Sequence, residues 1–142
     1  MINAIITGIS LELGKEFGKR YKVYTEDVEQ GLKGPCFFIT CLNPTTKLFR
    51  GKKYFRTNQF CIQYFPKNEK KANQECNEVA ECLTWCLEYI TADGDAMRGT
   101  NMHHEIVDGV LNFFVNYDCF VYRIGEQEEK MQRLIQKQGL KR

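Results

Sequence analysis

Apolar residues recur at helical spacing in two segments of the chain. In the first segment they fall three or four positions apart, which predicts an amphipathic helix over residues 2 to about 18. The second segment begins at Asn68, a residue type that caps helix N-termini, and its apolar stripe continues to Ile90. An Asp-Gly-Asp sequence at Asp93 then ends the predicted helix, because these residues favour turns.

Residues 105–123 show the pattern of a β-hairpin. Asp108-Gly109 is a dipeptide favoured in a two-residue type I′ turn, where both residues need a positive φ. After the turn, alternate residues are continuously apolar, as in a strand that faces a core. The other face mixes polar with large aromatic side chains: Asn112, Asn116 and Asp118 with Phe114, Phe120 and Tyr122. Such a mixture is more typical of a protein contact surface than of a solvent-facing strand.

A second hairpin is predicted around Gly51-Lys52, with arms at residues 47–50 and 53–65. Its long strand alternates apolar and polar residues, as expected of an antiparallel strand with one face exposed to solvent. Shorter elements complete the prediction: a strand at 21–24, a loop at 30–35, a buried strand at 36–42, a turn at Asn43-Pro44 and a charged helix at 126–138.

Together these elements predict an α+β fold, in which an antiparallel β-sheet built from hairpins carries two main helices and a C-terminal helical tail. One domain is predicted over residues 1–125. Residues 126–142 are predicted to form a charged C-terminal helix or flexible tail. The length of 142 residues and a composition of 43% hydrophobic and 27% charged residues fit one soluble domain.

Composition excludes several classes of protein. No apolar run approaches the roughly 20 residues that a membrane-spanning helix needs. The N-terminal apolar residues are not preceded by the basic region of a secretory signal. Seven cysteines, an odd number, favour free thiols in a reducing compartment over a disulfide framework.

Charge is distributed unevenly along the chain. Residues 30–68 include seven basic residues and no acidic one, whereas residues 69–125 include ten acidic and four basic residues. The fold is therefore expected to have one positive and one negative face. These faces are either plain solvated surfaces or patches through which copies of the chain meet head to tail, a contact that closes into a ring when the rotation permits.

Catalytic and metal-binding chemistry finds little support in the sequence. Cys82 and Cys86 are one helical turn apart and could share a metal ion, but a second pair of ligands is needed. The only histidines, His103 and His104, are adjacent in a predicted strand and point to opposite faces. No motif surrounds any cysteine, and no nucleotide-binding or calcium-binding loop is present. We therefore predict no enzyme, no metal and no cofactor.

Two further features are candidate contact sites. The 47–56 hairpin combines cations with aromatic rings, a composition that fits either a nucleic acid or an acidic protein partner; its cations are Lys47, Arg50, Lys52, Lys53 and Arg56. Trp85 lies nearly opposite the apolar stripe of the second helix, in a sector shared with Glu78, Glu81 and Glu88. Tryptophan is enriched at interface hot spots, so Trp85 is either buried between molecules or covered by another element of the same chain.

Four segments of the chain resemble the small tail terminator, or tail completion, proteins of tailed bacteriophages and of prophages in low-GC Gram-positive bacteria. They are the opening helix and the stretches YKVYTEDVEQGLKGPCFFITCLNP, KKYFRTNQFCIQYFP and MRGTNMHHEIVDGVLNFFVNYDCFVYR. The resemblance covers residues 1 to about 124. It rests on the order of the segments rather than on a single diagnostic motif.

This resemblance implies a structural, non-enzymatic protein that assembles in the bacterial cytoplasm and remains in the virion tail. Relatives of this kind form a ring, often a hexamer, on the head-proximal end of the tail tube. The ring stops polymerisation and joins the neck or head. The implied partners are other copies of the chain, the tail tube protein and a neck or head-completion protein. A neck or head-closure protein and a small nucleic-acid-binding protein remain as alternatives.

The candidate contact residues come from the physical reading alone, because the resemblance supplies no individual interface positions. They are the cations of the basic hairpin, Trp85 and the aromatic residues Phe114, Phe120 and Tyr122.

Overall fold

A computed structural model describes residues 1–26 and 34–124 of the protein. Two α-helices are present, α1 (Ile2–Phe17) and α2 (Ala72–Cys86), and a single 3-10 turn (Glu69–Lys71) precedes α2. The strands are β1 (Lys22–Tyr24), β2 (Cys36–Arg50), β3 (Lys53–Phe65), β4 (Tyr89–Ala92), β5 (Asp95–Arg98), β6 (Thr100–Val107), β7 (Val110–Asn116) and β8 (Cys119–Tyr122). The described residues are 50% strand and 29% helix.

The main sheet has six strands, in the order β1-β2-β3-β7-β6, with β8 also pairing with β3. Strands β4 and β5 form a separate two-stranded sheet. Strand β1 pairs with β2 in parallel, and the other pairs are antiparallel. The prediction of an α+β fold with an antiparallel sheet is therefore wrong, because the protein is mostly β and its sheet is mixed. Hairpin signals reveal antiparallel neighbours, whereas nothing local in β1 specifies a parallel partner.

Several predicted elements are confirmed. Helix α1 has the predicted extent, and both predicted hairpin turns are present. Asp108 and Gly109 adopt φ angles of 51° and 76°, as a type I′ turn requires. The predicted C-terminal helix and most of the predicted loop at 30–35 lie outside the described residues.

Helix α2 ends earlier than its apolar stripe predicts. It stops at Cys86 rather than near Ile90, and the next residues form the β4–β5 hairpin. The Tyr117 hydroxyl donates a hydrogen bond of 2.6 Å to the Leu87 carbonyl, which satisfies a backbone acceptor at the helix end. Asp93 and Gly94, expected to stop the helix, instead form the hairpin turn with φ angles of 54° and 84°.

The predicted turn at Asn43-Pro44 is also wrong, because β2 continues through it to Arg50. Asn43 adopts a φ of 40°, and the pairing of β2 with β3 shifts register between Leu42 and Thr45. The residues therefore form a bulge within one long strand rather than a reversal of the chain.

Both helices contribute to one hydrophobic core on the inner face of the main sheet. The sheet supplies alternate residues of its central strands, among them Phe37, Ile39, Phe60, Ile62, Tyr64, Leu111, Phe113 and Val115. Helix α1 approaches strand β4 closely at Gly8, where a Cβ atom would lie 2.5 Å from the Thr91 carbonyl oxygen. No helix in the described parts of the chain is long and apolar enough to cross a membrane.

Asn58 joins the two halves of β3, which have different neighbours. Residues 59–64 pair with β7, whereas residues 53–56 pair with β8. Between them, the fully buried Asn58 donates from Nδ2 to the Tyr117 carbonyl (2.9 Å) and from its backbone amide to Asp118 Oδ1 (2.9 Å). Its carbonyl accepts a bond of 2.8 Å from the Tyr117 amide. These bonds replace the backbone hydrogen bonds between strands at the position where the partner of β3 changes from β7 to β8.

Glu75 attaches the start of α2 to the end of β3. Its carboxylate accepts hydrogen bonds from the Tyr64 hydroxyl (2.5 Å) and from the backbone amides of Lys67 (2.7 Å) and Asn68 (3.1 Å). Burial disfavours ionisation of Glu75, but these bonds outweigh burial and hold its pKa below the ordinary value of 4.5. Burial raises the pKa of Tyr64, and the hydrogen bond to Glu75 raises it further, so Tyr64 stays neutral.

We predict that Asn58→Asp lowers the free energy of unfolding by about 2 kcal/mol at neutral pH, because it removes the buried donor to the Tyr117 carbonyl and adds a buried charge. Urea denaturation measures the effect. Asn73→Asp, the same change on an exposed part of α2, is the matched control and should have little effect. Equal losses in the two variants would contradict the role of Asn58.

Glu75→Gln should make stability less dependent on pH. Because the folded-state pKa of Glu75 lies below its unfolded value, its carboxylate stabilises the protein above about pH 4.5, and this contribution is lost as the pH falls through the folded pKa. We expect a loss on the order of 1 kcal/mol near pH 7 that shrinks in acid. Denaturation at several pH values measures it, and the exposed Glu81→Gln is the control. A loss that stays constant down to pH 3 would refute the assignment.

Candidate functional site

A three-stranded arm extends from the main sheet. It consists of residues 45–50 of β2, residues 53–57 of β3 and the whole of β8. Gly51 closes its tip with a φ of 57°, and the Arg123 amide donates to the Lys52 carbonyl (2.8 Å), which ties the end of β8 to that tip. Residues 43–52 are all exposed, so the distal part of the arm is accessible to solvent.

Aromatic rings cover the outer face of the arm, which points away from the core. Phe120 lies between Phe49 and Phe55, with ring centroids 5.1 Å and 4.9 Å away. The contact with Phe55 follows from the register, since these two residues are directly opposite each other on neighbouring strands. The contact residues predicted from the sequence do not include Phe49 and Phe55, because their grouping with Phe120 depends on the pairing of β3 with β8.

Cations of the arm lie over these rings. The Lys53 ammonium is 4.4 Å from the centroid of Phe120 and 5.8 Å from that of Tyr122, and the Arg50 guanidinium is 6.0 Å from Phe49. Such contacts hold a cation by the negative face of the ring rather than by a carboxylate. The two ion pairs of the described residues lie elsewhere, so no carboxylate neutralises the arm within the chain as described.

The remaining basic candidates differ in position. Lys47 is exposed and opposite Phe55, and Lys52 is exposed in the turn, so both belong to the arm surface. Arg56 faces the other side, next to Cys119 and Cys41, and its Nε atom is buried without a hydrogen-bond partner in the structure. The structure therefore groups Arg50, Lys53, Phe120 and Tyr122 and separates Arg56 from them.

Phe114 belongs to a different surface. It lies on the outer face of the main sheet, where it stacks on His103 at a centroid distance of 4.8 Å. Its partner on β3 is Cys61, six residues from Phe55, so Phe114 and Phe120 are separated by about 20 Å along that strand. The predicted mixed face of the hairpin is thus divided into two parts.

Trp85 forms the centre of a third surface, the outer side of α2. Its side chain is 70% exposed, which confirms the prediction that it faces away from the core. Glu81 and Glu78 are exposed on the same side, one and two turns before Trp85 respectively. Glu88, expected in this sector, lies beyond the helix end and pairs with Arg98 at 3.7 Å.

A carboxylate from α1 adds to the acidic character of this side of α2. Burial raises the pKa of the Cys82 thiol, and Glu16, Glu78 and Glu81 raise it further, which places all three carboxylates near that thiol. We call Trp85, Glu16, Glu78 and Glu81 the α2 acidic surface. The surface and the arm carry opposite charges.

The structure assembles no nucleophile or metal site among its described residues. Burial raises the pKa of the Cys86 thiol to about 12, so it does not form the thiolate that a metal or a substrate would need. All seven cysteines are free, and no group of three or more metal-ligating side chains is found in the described ranges. An open cleft beside Lys67, Glu69 and Asp108 contains neither histidine nor cysteine.

The accessibility and charge around Trp85 lead to a testable prediction. Trp85 is the only tryptophan, so its fluorescence reports on this surface alone. For each fluorophore we compare the quenching constant of caesium with that of iodide at low salt. We expect this ratio to be about twofold higher for Trp85 than for free N-acetyltryptophanamide, because carboxylates near Trp85 attract the cation.

Glu78→Gln combined with Glu81→Gln should remove this preference. Glu69→Gln combined with Glu105→Gln, two exposed carboxylates elsewhere, should leave it unchanged. A tryptophan shielded from both quenchers in the monomer would mean that another part of the chain covers it.

Comparison with known proteins identifies the family. The family model described as "Phage tail terminator protein" matches residues 4–129. A solved structure known only by a sequence identifier shares 10% identity, with 88% of this chain and 97% of the other covered, at a TM-score of 0.39. No curated protein matches the chain. The family consists of structural tail proteins rather than enzymes. Because the matched region includes most of the chain, the protein belongs to the phage tail terminator family.

Proposed function

We propose that the protein caps the phage tail tube as a ring of identical subunits. The ring occupies the head-proximal end of the tube, ends the addition of tube subunits and presents the surface that the neck or head joins. Assembly takes place in the bacterial cytoplasm, and the ring remains in the virion tail. Family membership supports a tail component, and two oppositely charged surfaces of the molecule support the ring.

The observation that carries this proposal is the presence of two separate and oppositely charged contact surfaces on one chain. The arm offers Lys47, Arg50, Lys52 and Lys53 without a carboxylate partner in the described residues. The α2 acidic surface offers an exposed tryptophan among carboxylates. Different patches that meet between copies give a head-to-tail contact, which closes into a ring at a suitable rotation.

Two alternatives use the same surfaces. A neck or head-closure protein would need the same chemistry with another neighbour. A nucleic-acid-binding protein would use the cations of the arm for phosphates and its rings for bases. The second alternative is less well supported, because the matched family consists of structural tail proteins.

Mixing the protein with growing tail tubes tests the proposal. We expect it to stop elongation and to appear as a ring at one tube end in negative-stain images, with weaker binding at high salt because charged surfaces meet. Lys47→Glu combined with Lys52→Glu, the arm variant, should lose this activity at physiological salt. Both side chains are exposed, so the fold should be retained.

Lys70→Glu combined with Lys71→Glu is the matched control, since it makes the same change of charge at exposed positions outside the arm. A wild-type protein that stays monomeric even with tail tubes, or tubes that lengthen unchanged in its presence, would contradict the proposal. Binding to DNA that falls steeply with salt, together with no effect on tubes, would favour the nucleic-acid alternative.

A further inference from the structure

The described residues of the arm tip expose two large apolar side chains among cations. Leu48 is 63% exposed and Phe49 is 55% exposed, although strand residues of this size usually pack against a neighbour. Lys47, Arg50 and Lys52 flank them. Leu48 is paired with Tyr54, whereas Phe49 contacts Phe120 on the opposite face of the arm, so each face of the tip exposes one apolar side chain. An exposed apolar side chain flanked by charge of one sign has the composition of an interface centre with a polar rim.

The α2 acidic surface has the complementary composition. Trp85 supplies a large exposed ring, and Glu78 and Glu81 lie along the same side of the helix. The partner that fits the arm tip is therefore a surface with an apolar anchor and negative charge, and the same chain carries one.

A chain does not place its own arm on its own α2 acidic surface. Helix α2 packs with its buried side on β7, β6 and α1, whereas the strands of the arm pair with one another. The apolar side of α2 is occupied by the core, through Cys76, Val79 and Leu83, and Trp85 faces the opposite direction. The two surfaces can meet only between copies.

We propose that the arm of one subunit docks on the α2 acidic surface of the next subunit, with Phe49 of the arm tip against Trp85. This inference rests on the proposed ring and names its subunit contact. Residues 45–50 reach about 20 Å along the strand, whereas a helix with its side chains is about 10–12 Å wide. The arm is therefore long enough to cross the whole outer side of a neighbouring helix.

The energetic roles of the two kinds of group are different. Burial of Trp85 and of the arm-tip side chains supplies most of the affinity, as aromatic anchors do at interface centres. The charges speed association and fix the direction of the contact, because the reverse pairings would place like charges together. Each subunit then contacts one neighbour through its arm and the other neighbour through its α2 acidic surface.

Charge exchange tests this contact. The helix variant, Glu78→Lys combined with Glu81→Lys, reverses the α2 acidic surface, as the arm variant reverses the arm. Alone, each variant places like charges together, and we expect the concentration for half-maximal assembly on tail tubes to rise more than about tenfold. A chain with all four substitutions should assemble again, because its acidic arm meets a basic helix.

An equal mixture of the arm variant and the helix variant should also assemble when the ring has an even number of subunits, since the two then alternate. Trp85 provides an independent readout: its emission should shift to the blue and lose its quenching by caesium on assembly. Glu69→Lys combined with Glu105→Lys is the control for the helix variant and should assemble as the wild type does. Circular dichroism and thermal unfolding verify that each variant is folded.

The results separate this inference from the ring proposal. Two results would leave the ring proposal standing and overturn this contact: wild-type rings together with normal assembly of the helix variant, or a folded chain with all four substitutions that does not assemble. In either case the arm contacts something else, such as the tube protein. An unshifted Trp85 emission in assembled rings overturns the inference in the same way. If the wild type forms no ring on tubes, the proposed function itself fails.

Discussion

The hydrogen bonds of Asn58 are the interaction on which the arrangement of this protein depends. At this residue β3 stops pairing with β7 and begins to pair with β8, and a buried side-chain amide takes the place of the missing ladder bonds. A buried backbone group without a partner is costly, so the change of partner needs such a residue. Because β3 continues through the junction, the core and the arm are parts of one strand.

This junction explains why the surface chemistry is so sharply divided. On one side of Asn58, the strand residues that face inward enter the core under the two helices. On the other side, no helix packs on the arm within the described residues, and the aromatic rings of its outer face contact a lysine and each other. The cations of the arm and the carboxylates near Trp85 thus lie on separate elements of the fold.

Much of the fold could be predicted from the sequence where the signal is local. Helix α1 follows from its apolar spacing, and the two hairpin turns follow from glycines that adopt positive φ angles. The end of α2 could not be predicted, because Ile90 and Ala92 are buried and fit a helical stripe as well as a strand. The bond from Tyr117 to the Leu87 carbonyl marks the true end, and it joins residues distant in sequence.

The parallel pairing of β1 and the continuation of β2 through Asn43 were not predicted, for a similar reason. Both depend on partners chosen by the tertiary structure rather than on the residues themselves. Among the candidate site residues, the outward position of Trp85 and the shared face of Phe120 and Tyr122 could be inferred from periodicity. The contact of Lys53 with that face depends on the pairing of β3 with β8. The separation of Phe114 and Arg56 from that cluster required the register of β3.

The β2 bulge at Asn43 and the junction at Asn58 have a consequence for how the protein can diversify. Beyond them, β2 and β3 are held mainly by backbone pairing, and the side chains of the distal arm do not contribute to the core. The charge and size of the tip can therefore change while the folded domain keeps its stability. A tail terminator built in this way can acquire a new neighbour by exchanging a few residues at its tip, with the scaffold inherited intact.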